Sequence, residues 1–311
     1  MTKHSRLSLV ERAAEIYDFA GVLRAPQPRV AEPKTVVEPN PAIDTLDIPA
    51  APEPDLPIAR EVAHGELAVI DRARLAEAGF IVPDEPVTSL AEEFRLVKRR
   101  LLASIESRST QAEEKRRTVL VTSGQPDEGK SFCAVNLALS LAGEREVDVL
   151  LVDGDFSKPE ALAMLGLHAG PGLVDALADP LVDVEDYVLH TDIPGLSVLP
   201  AGRKANNVTE LLASDRTRAV FARLFAGNRR RIIIIDSPPA LMASPAAVLA
   251  DLVGQVLVVV RADRTIEAEL RETVGLLSAC EEVALLLNGA GGAVTGRKYG
   301  SYDGYGHDEP A

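Results

Sequence analysis

Six short apolar runs, each followed by a turn and a stretch of helical period, constrain this chain more than any other feature. The runs cover residues 118–122, 149–152, 196–199, 232–235, 256–260 and 283–287. Helical patterns fill the gaps at 131–142, 207–226, 243–252 and 265–279, and a charged helix precedes them at 90–102. Strands that alternate with helices predict an α/β fold with a doubly wound, mainly parallel sheet. Composition agrees. Hydrophobic residues make up 46% of the chain, yet it holds only 7 Phe, 5 Tyr and no Trp. A core so dominated by Val, Ile, Leu and Ala suits a parallel sheet covered by helices on both faces. Asn207 and Glu210 have the spacing of a capping box, which would start a helix just after the 200–203 loop.

Around this domain, assigned to 87–288, the pattern changes. Residues 1–23 contain one amphipathic helical stretch (Leu9, Ala13, Ile16, Ala20), which reads equally as a docking element or a frayed terminus. Residues 24–58 carry nine of the 21 prolines and are expected to form an extended, solvated linker. Residues 59–86 read as a connecting segment, and 289–311 as a flexible, Gly- and Tyr-bearing tail. The 33 basic against 47 acidic residues leave a net charge of −14. That balance argues against a broad nucleic-acid surface, which needs clustered cations. Cys133 and Cys280 lie in apolar stretches and are expected to be buried thiols. No run reaches the roughly 20 apolar residues of a membrane span, and the first residues lack the apolar block of a signal peptide. The expected location is the cytoplasm.

The strongest local motif joins the first strand to the next helix: Gly124, Gln125, Pro126, Asp127, Glu128, Gly129, Lys130 and Ser131, with Phe132 following. This is GxxxxGK[ST]. Glycines let backbone amides turn inward around phosphate oxygens, and the helix N-terminus adds partial positive charge. Lys130 is expected at the β- and γ-phosphates, and the Ser131 hydroxyl at Mg²⁺. Two more strands end in acids: Asp153 and Asp155 after one, Asp236 before a Pro-Pro pair after another. Parallel sheets bind ligands at this carboxyl edge. Three carboxylates beside a phosphate loop suit a hard cation and supply a base for an attacking hydroxyl. Asn288 ends the last strand, where it either contacts a nucleotide base or closes a turn.

Taken together, Lys130/Ser131, Asp153/Asp155, the IIIIDSPP strand, AEEFRLVKR and the terminal tyrosines resemble the bacterial tyrosine kinases of exopolysaccharide synthesis. Within them, the likeness is greatest to the exosortase-associated autokinase branch. It covers residues 85–290, the tail and the SLVERA start. The resemblance implies a P-loop NTPase-type fold that binds Mg·ATP. Lys130, Asp153 and Asp155 would be catalytic, with Asp153 and Asp236 at the metal. Asn288 would lie near the adenine. Tyr299, Tyr302 and Tyr305 would accept phosphate from a neighbouring subunit. Glu92, Arg95 and Lys98 would form the ring-building helix of the unphosphorylated homo-oligomer. The implied partners are the cytoplasmic tail of an inner-membrane chain-length regulator, which would recruit the kinase to that membrane, and a tyrosine phosphatase.

Three departures stand out. Ser157, followed by Lys158, replaces an arginine common in the family; Lys98 replaces another, with Arg99 adjacent; and the tail holds only three tyrosines. Those tyrosines are nonetheless conspicuous, being three of five in the chain and interspersed with Gly300, Gly304 and Gly306, which ease entry into a site. Each phosphate would add about −1.5 to −2 charge to an acidic body. Two other readings remain: a partition- or division-type ATPase, whose early loop lysine is Gln125 here, and a nucleotide-binding scaffold without kinase activity.

Overall fold

The computed structural model describes residues 67–226 and 228–290. The helix expected within 1–23, the 24–58 linker and Tyr299, Tyr302 and Tyr305 lie outside the described residues. Seven strands are described: β1 (Thr118–Ser123), β2 (Asp148–Asp153), β3 (Leu189–His190), β4 (Leu196–Leu199), β5 (Arg231–Asp236), β6 (Gln255–Arg261) and β7 (Val283–Asn288). They form one sheet in the order β3-β4-β2-β5-β1-β6-β7. Every neighbouring pair is parallel except β3–β4. The expected α/β architecture is therefore present, with one strand more than the sequence announces. The two residues of β3 are too few to leave a periodic signal.

Alternation within each run divides the core. Val119 and Val121 of β1, Val149 and Leu151 of β2, and Ile232 and Ile234 of β5 face one layer. Leu120, Leu150, Val152, Ile233 and Ile235 face the other. Strands apolar on both faces need helices on both sides, and the chain supplies them. The first layer holds α1 (Arg72–Glu77), α2 (Ser89–Ser107) and α4 (Lys130–Ala142). The short α3 (Glu113–Arg116) leads into β1, and α5 (Ala161–Met164) follows β2. The second layer holds α6 (Leu173–Ala178), α7 (Val208–Leu212), α8 (Asp215–Ala226) and α9 (Pro245–Leu252). Finally, α10 (Glu267–Leu276) joins β6 to β7. Cys133 and Cys280 are both buried and free, and burial pushes the Cys133 thiol up to about 12.

Three expectations need correcting. The helix expected over 207–226 is two helices, α7 and α8, which break where the Ser214 hydroxyl donates to the Leu211 carbonyl at 2.6 Å. Asn207 precedes α7 but its side chain makes no capping bond, so the Asn207/Glu210 spacing is not a capping box. The folded layer also begins before residue 87. Ile70, Leu75 and Phe80 are 2%, 0% and 8% exposed and belong to the first core layer. Asp192 anchors that segment, accepting from the Ile70 amide at 2.9 Å and from Arg72 at 2.6 Å. Among the described residues, no helix is long and apolar enough to cross a membrane.

Candidate nucleotide-phosphate site

The sheet order brings the three chemical motifs together. β5 lies between β1 and β2, so the loop after β1 and the acids ending β2 and β5 share one edge. In register, Asp153 faces Asp236, and Val121 faces Asp236 from the other side.

The loop itself is set by local backbone geometry. Gly129 precedes α4 with φ 94°, a left-handed conformation that glycine adopts without steric cost. A side chain there would also collide with Asn288, whose Nδ2 lies 2.1 Å from the place a Cβ would take. Asp127 has φ 61°, and Asp is one of the few other residues that visit this region. The amides of Lys130, Ser131 and Phe132 open α4 ahead of any intrahelical acceptor, so they are available to an anion. The Phe132 ring turns away into the core, its centroid 4.8 Å from that of Phe80.

Charge is arranged in two tiers. In one, Lys130 Nζ pairs with Asp155 Oδ2 at 2.9 Å, Asp155 being 2% exposed. The other oxygen, Asp155 Oδ1, accepts from the Ser157 hydroxyl at 2.7 Å and the Lys158 amide at 3.1 Å. Beneath lie Asp153 and Asp236, both 0% exposed. Asp153 Oδ2 accepts from the Ala161 amide at 3.2 Å, while Asp153 Oδ1 and both Asp236 oxygens have no partner. Burial raises both carboxyls, Asp153 to about 8 with Asp236 as the next cause, and Asp236 to about 7 against the opposing pull of Lys130. The Ser131 hydroxyl also lowers Asp236 but lies outside hydrogen-bond geometry. Buried carboxylate oxygens without donors are costly unless a cation or proton meets them. This donor set therefore fits Mg²⁺, a hard cation that takes one or two carboxylates and completes its shell with water and phosphate. Among the described residues, no group of three or more His, Cys, Asp or Glu side chains is placed to hold a metal ion by itself.

Other expected site residues fall differently. Asn288 is at the site, but its Nδ2 donates to the Glu128 carbonyl at 2.9 Å, so it braces the loop. Gln125 Nε2 donates to Glu269 at 2.9 Å, which turns this side chain toward α10. Pro126 and Asp127 are exposed at the loop's tip. Glu92 and Arg95 pair on the outer side of α2, far in character from Lys98, which is 8% exposed. Lys98 donates to the Ser140 carbonyl at 2.9 Å and pairs with Glu144 at 2.7 Å. The three members of the expected ring motif thus do not share one face. Sequence reasoning also passed over the Glu128 side chain and Thr265, which meet in a part-buried hydrogen bond. Residues 128 and 265 are too far apart in the chain for any local pattern to join them.

A strand, a glycine loop and a helix, with acids on the neighbouring strand ends, define the class: a P-loop nucleotide-binding α/β protein. No family model matches the chain. It is 27% identical over 237 residues to the tyrosine-protein kinase YwqD of Bacillus subtilis, covering 76% of this chain and 94% of that protein. It is 31% identical over 171 residues to the tyrosine-protein kinase ptk of Acinetobacter johnsonii, covering 55% of this chain but 22% of that much longer relative. Among solved structures, the VpsO kinase domain is 33% identical with a TM-score of 0.50, covering 64% of this chain and 98% of that domain. The chain belongs to the bacterial tyrosine-protein kinases.

Proposed function

We infer that this protein binds Mg·ATP at the 124–132 loop and transfers the γ-phosphoryl group to tyrosines of its own tail, Tyr299, Tyr302 and Tyr305. The observation that carries this reading is the Lys130–Asp155 pair above two buried carboxylates with unpartnered oxygens. In the ligand-free protein Asp155 neutralises the lysine that phosphate would attract. When the triphosphate enters, Lys130 exchanges Asp155 for phosphate oxygens, a stronger partner in the same low-dielectric pocket. Asp155 is thereby released from the lysine and can orient an incoming tyrosine hydroxyl and take its proton. Ser157 and the Lys158 amide hold the other oxygen, so the carboxylate keeps its aim during the exchange. Ser131, Asp153 and Asp236 would hold Mg²⁺, which supplies charge neutralisation as the phosphoryl group moves.

The reading extends to assembly. Acceptance by a neighbouring subunit in a ring through Glu92 and Arg95, an activating cytoplasmic segment of an inner-membrane chain-length regulator, a tyrosine phosphatase, and a role in exopolysaccharide export through the exosortase-associated branch are proposals that rest on the resemblance. Gln125, bonded to Glu269 within its own subunit, speaks against the partition-type alternative, which needs a lysine there to reach across a dimer.

Incubation with Mg·ATP, with and without the candidate partner segment, followed by mass spectrometry, tests the proposal. Phosphate on Tyr299, Tyr302 or Tyr305 that is absent from Lys130→Ala is the expected result. Nucleotide binding without phosphotyrosine under either condition would overturn it in favour of the scaffold, and ATP hydrolysis without phosphotyrosine in favour of the ATPase.

A further inference from the structure

The phosphate loop contains an acid that phosphoryl transfer has no use for. Glu128 is 1% exposed and sits inside a loop whose task is to attract anions. A buried carboxylate is tolerated only when its oxygens are bonded, and here both are. Oε2 accepts from the Gln125 amide at 2.8 Å, and Oε1 accepts from the Thr265 hydroxyl. Thr265 is fixed in turn, because its Oγ accepts from the Arg261 amide at 2.8 Å. The Glu128 main chain is held as well, through its carbonyl, by Asn288.

The same side of the loop meets α10 at two more points. Gln125 donates to Glu269 at 2.9 Å, and a Cβ at Gly124 would lie 2.7 Å from Thr273 Oγ. Thr265 lies in the turn that leads into α10, and Glu269 and Thr273 stand four residues apart on it, the spacing of one helical face. They run along the loop opposite Glu128, Gln125 and Gly124 in turn. The loop therefore lies between two sides with different duties: amides toward the ligand and side-chain bonds toward α10.

We propose that Glu128 is a positioning residue, which pins the phosphate loop to the turn before α10 and so sets the direction of its amides before nucleotide arrives. Its carboxylate draws the Gln125 amide away from the ligand side and leaves those of residues 127–132 for phosphate. Thr265 keeps the negative charge turned toward the start of α10, away from the amides that face the phosphates. A loop ordered in advance binds with less loss of conformational freedom, so the effect is on affinity more than on the chemical step. This rests on the nucleotide-binding reading above.

Two measurements on the full chain test it. In the ligand-free protein, hydrogen exchange of the Gln125 amide should quicken in Glu128→Ala and in Thr265→Val, and stay near wild type in Glu128→Gln, which retains an amide able to bond both partners. With a fluorescent ADP analogue and Mg²⁺, Glu128→Ala should raise Kd about tenfold and Thr265→Val about threefold, in line with loss of part-buried hydrogen bonds. In the double variant the effect should be no greater than in Glu128→Ala alone, and under Mg·ATP the change should appear in KM with kcat within about twofold. Unchanged exchange in both single variants, additive effects, or no rescue by Glu128→Gln overturns the pin. Wild-type protein that fails to bind nucleotide overturns the functional reading instead, and exchange alone then decides the pin. Thr265→Val, a partly exposed site, decides it if Glu128→Ala does not fold.

Discussion

Asp153 and Asp236 store an electrostatic cost in the ligand-free protein, and that cost has a sign in pH. Their folded values of about 8 and about 7 stand above the ordinary 3.8. Between those limits the folded chain keeps protons that the unfolded chain has released, so stability falls as pH rises. The loss begins near pH 4 and is complete above each folded value. Asp236→Asn removes one such penalty. It should therefore leave the ligand-free protein nearly unchanged at pH 4 but raise its melting temperature at pH 8, by about 2–4 °C for each kcal/mol relieved. Thermal melts of both proteins at the two pH values check this, and an equal shift at both would contradict the buried-charge argument. Ser157 makes a subtler prediction. Ser157→Ala takes one of three partners from Asp155 while the Lys158 amide and Lys130 remain. The loss of a hydrogen bond worth about 1 kcal/mol should lower kcat for autophosphorylation several-fold with little change in KM for ATP. An unaltered kcat would mean that the serine does not aim the carboxylate.

At the scale of elements, α2 separates what sequence pattern reveals from what it conceals. Its inward stripe is Phe94, Lys98, Leu101 and Ile105, which is helical spacing with a lysine in an apolar position. A motif alignment assigns Lys98 to the same surface as Glu92 and Arg95, because it counts every third residue. The helical period assigns it to the core, where its stem packs and its ammonium reaches the C-terminal end of α4. The two residues should consequently fail in different ways. Lys98→Ala leaves Glu144 and the Ser140 carbonyl without their partner and should lower stability by about 1–3 kcal/mol in urea unfolding. Arg95→Ala should leave that midpoint in place and lower the mass of unphosphorylated protein in light scattering. The opposite pattern would restore Lys98 to the surface. Strands β1, β2, β5 and β6 were legible because each is a run of apolar residues too short to be a helix. The phosphate loop was legible because its spacing is fixed by backbone geometry. The break between α7 and α8 was not, since it depends on the Ser214 and Thr217 hydroxyls both bonding back to the Leu211 carbonyl. Nor was the Glu128–Thr265 bond, which exists only once the sheet has brought β6 beside β1.

For the molecule as a whole, the segment before α2 ties the outer end of the sheet to the nucleotide loop. Its isolated bridge pairs Ala68 with Thr191 beside β3, and Asp192 holds Ile70 and Arg72 there. The chain then passes through α1 to the far side of α4. At that point Asn136 accepts from the Ile81 amide at 2.8 Å and Phe80 packs on Phe132. Asn136 also donates to the Phe132 carbonyl at 2.9 Å, so the contact reaches the first turn of the helix that follows the loop. A chain starting at residue 87 would lose Ile70, Leu75 and Phe80, and burial of each such side chain stabilises by about 1.5–3 kcal/mol. It would also leave the buried Asn136 oxygen without its donor, a further cost of about 1–3 kcal/mol. Compared with a chain starting at residue 67, it should unfold at a clearly lower urea concentration and bind a fluorescent ADP analogue more weakly, because Phe132 would lose the ring that fixes it. Equal midpoints for the two would show that the first layer is complete without residues 67–86. A lower midpoint with unchanged nucleotide affinity would show that this segment supports the fold but does not act on the loop.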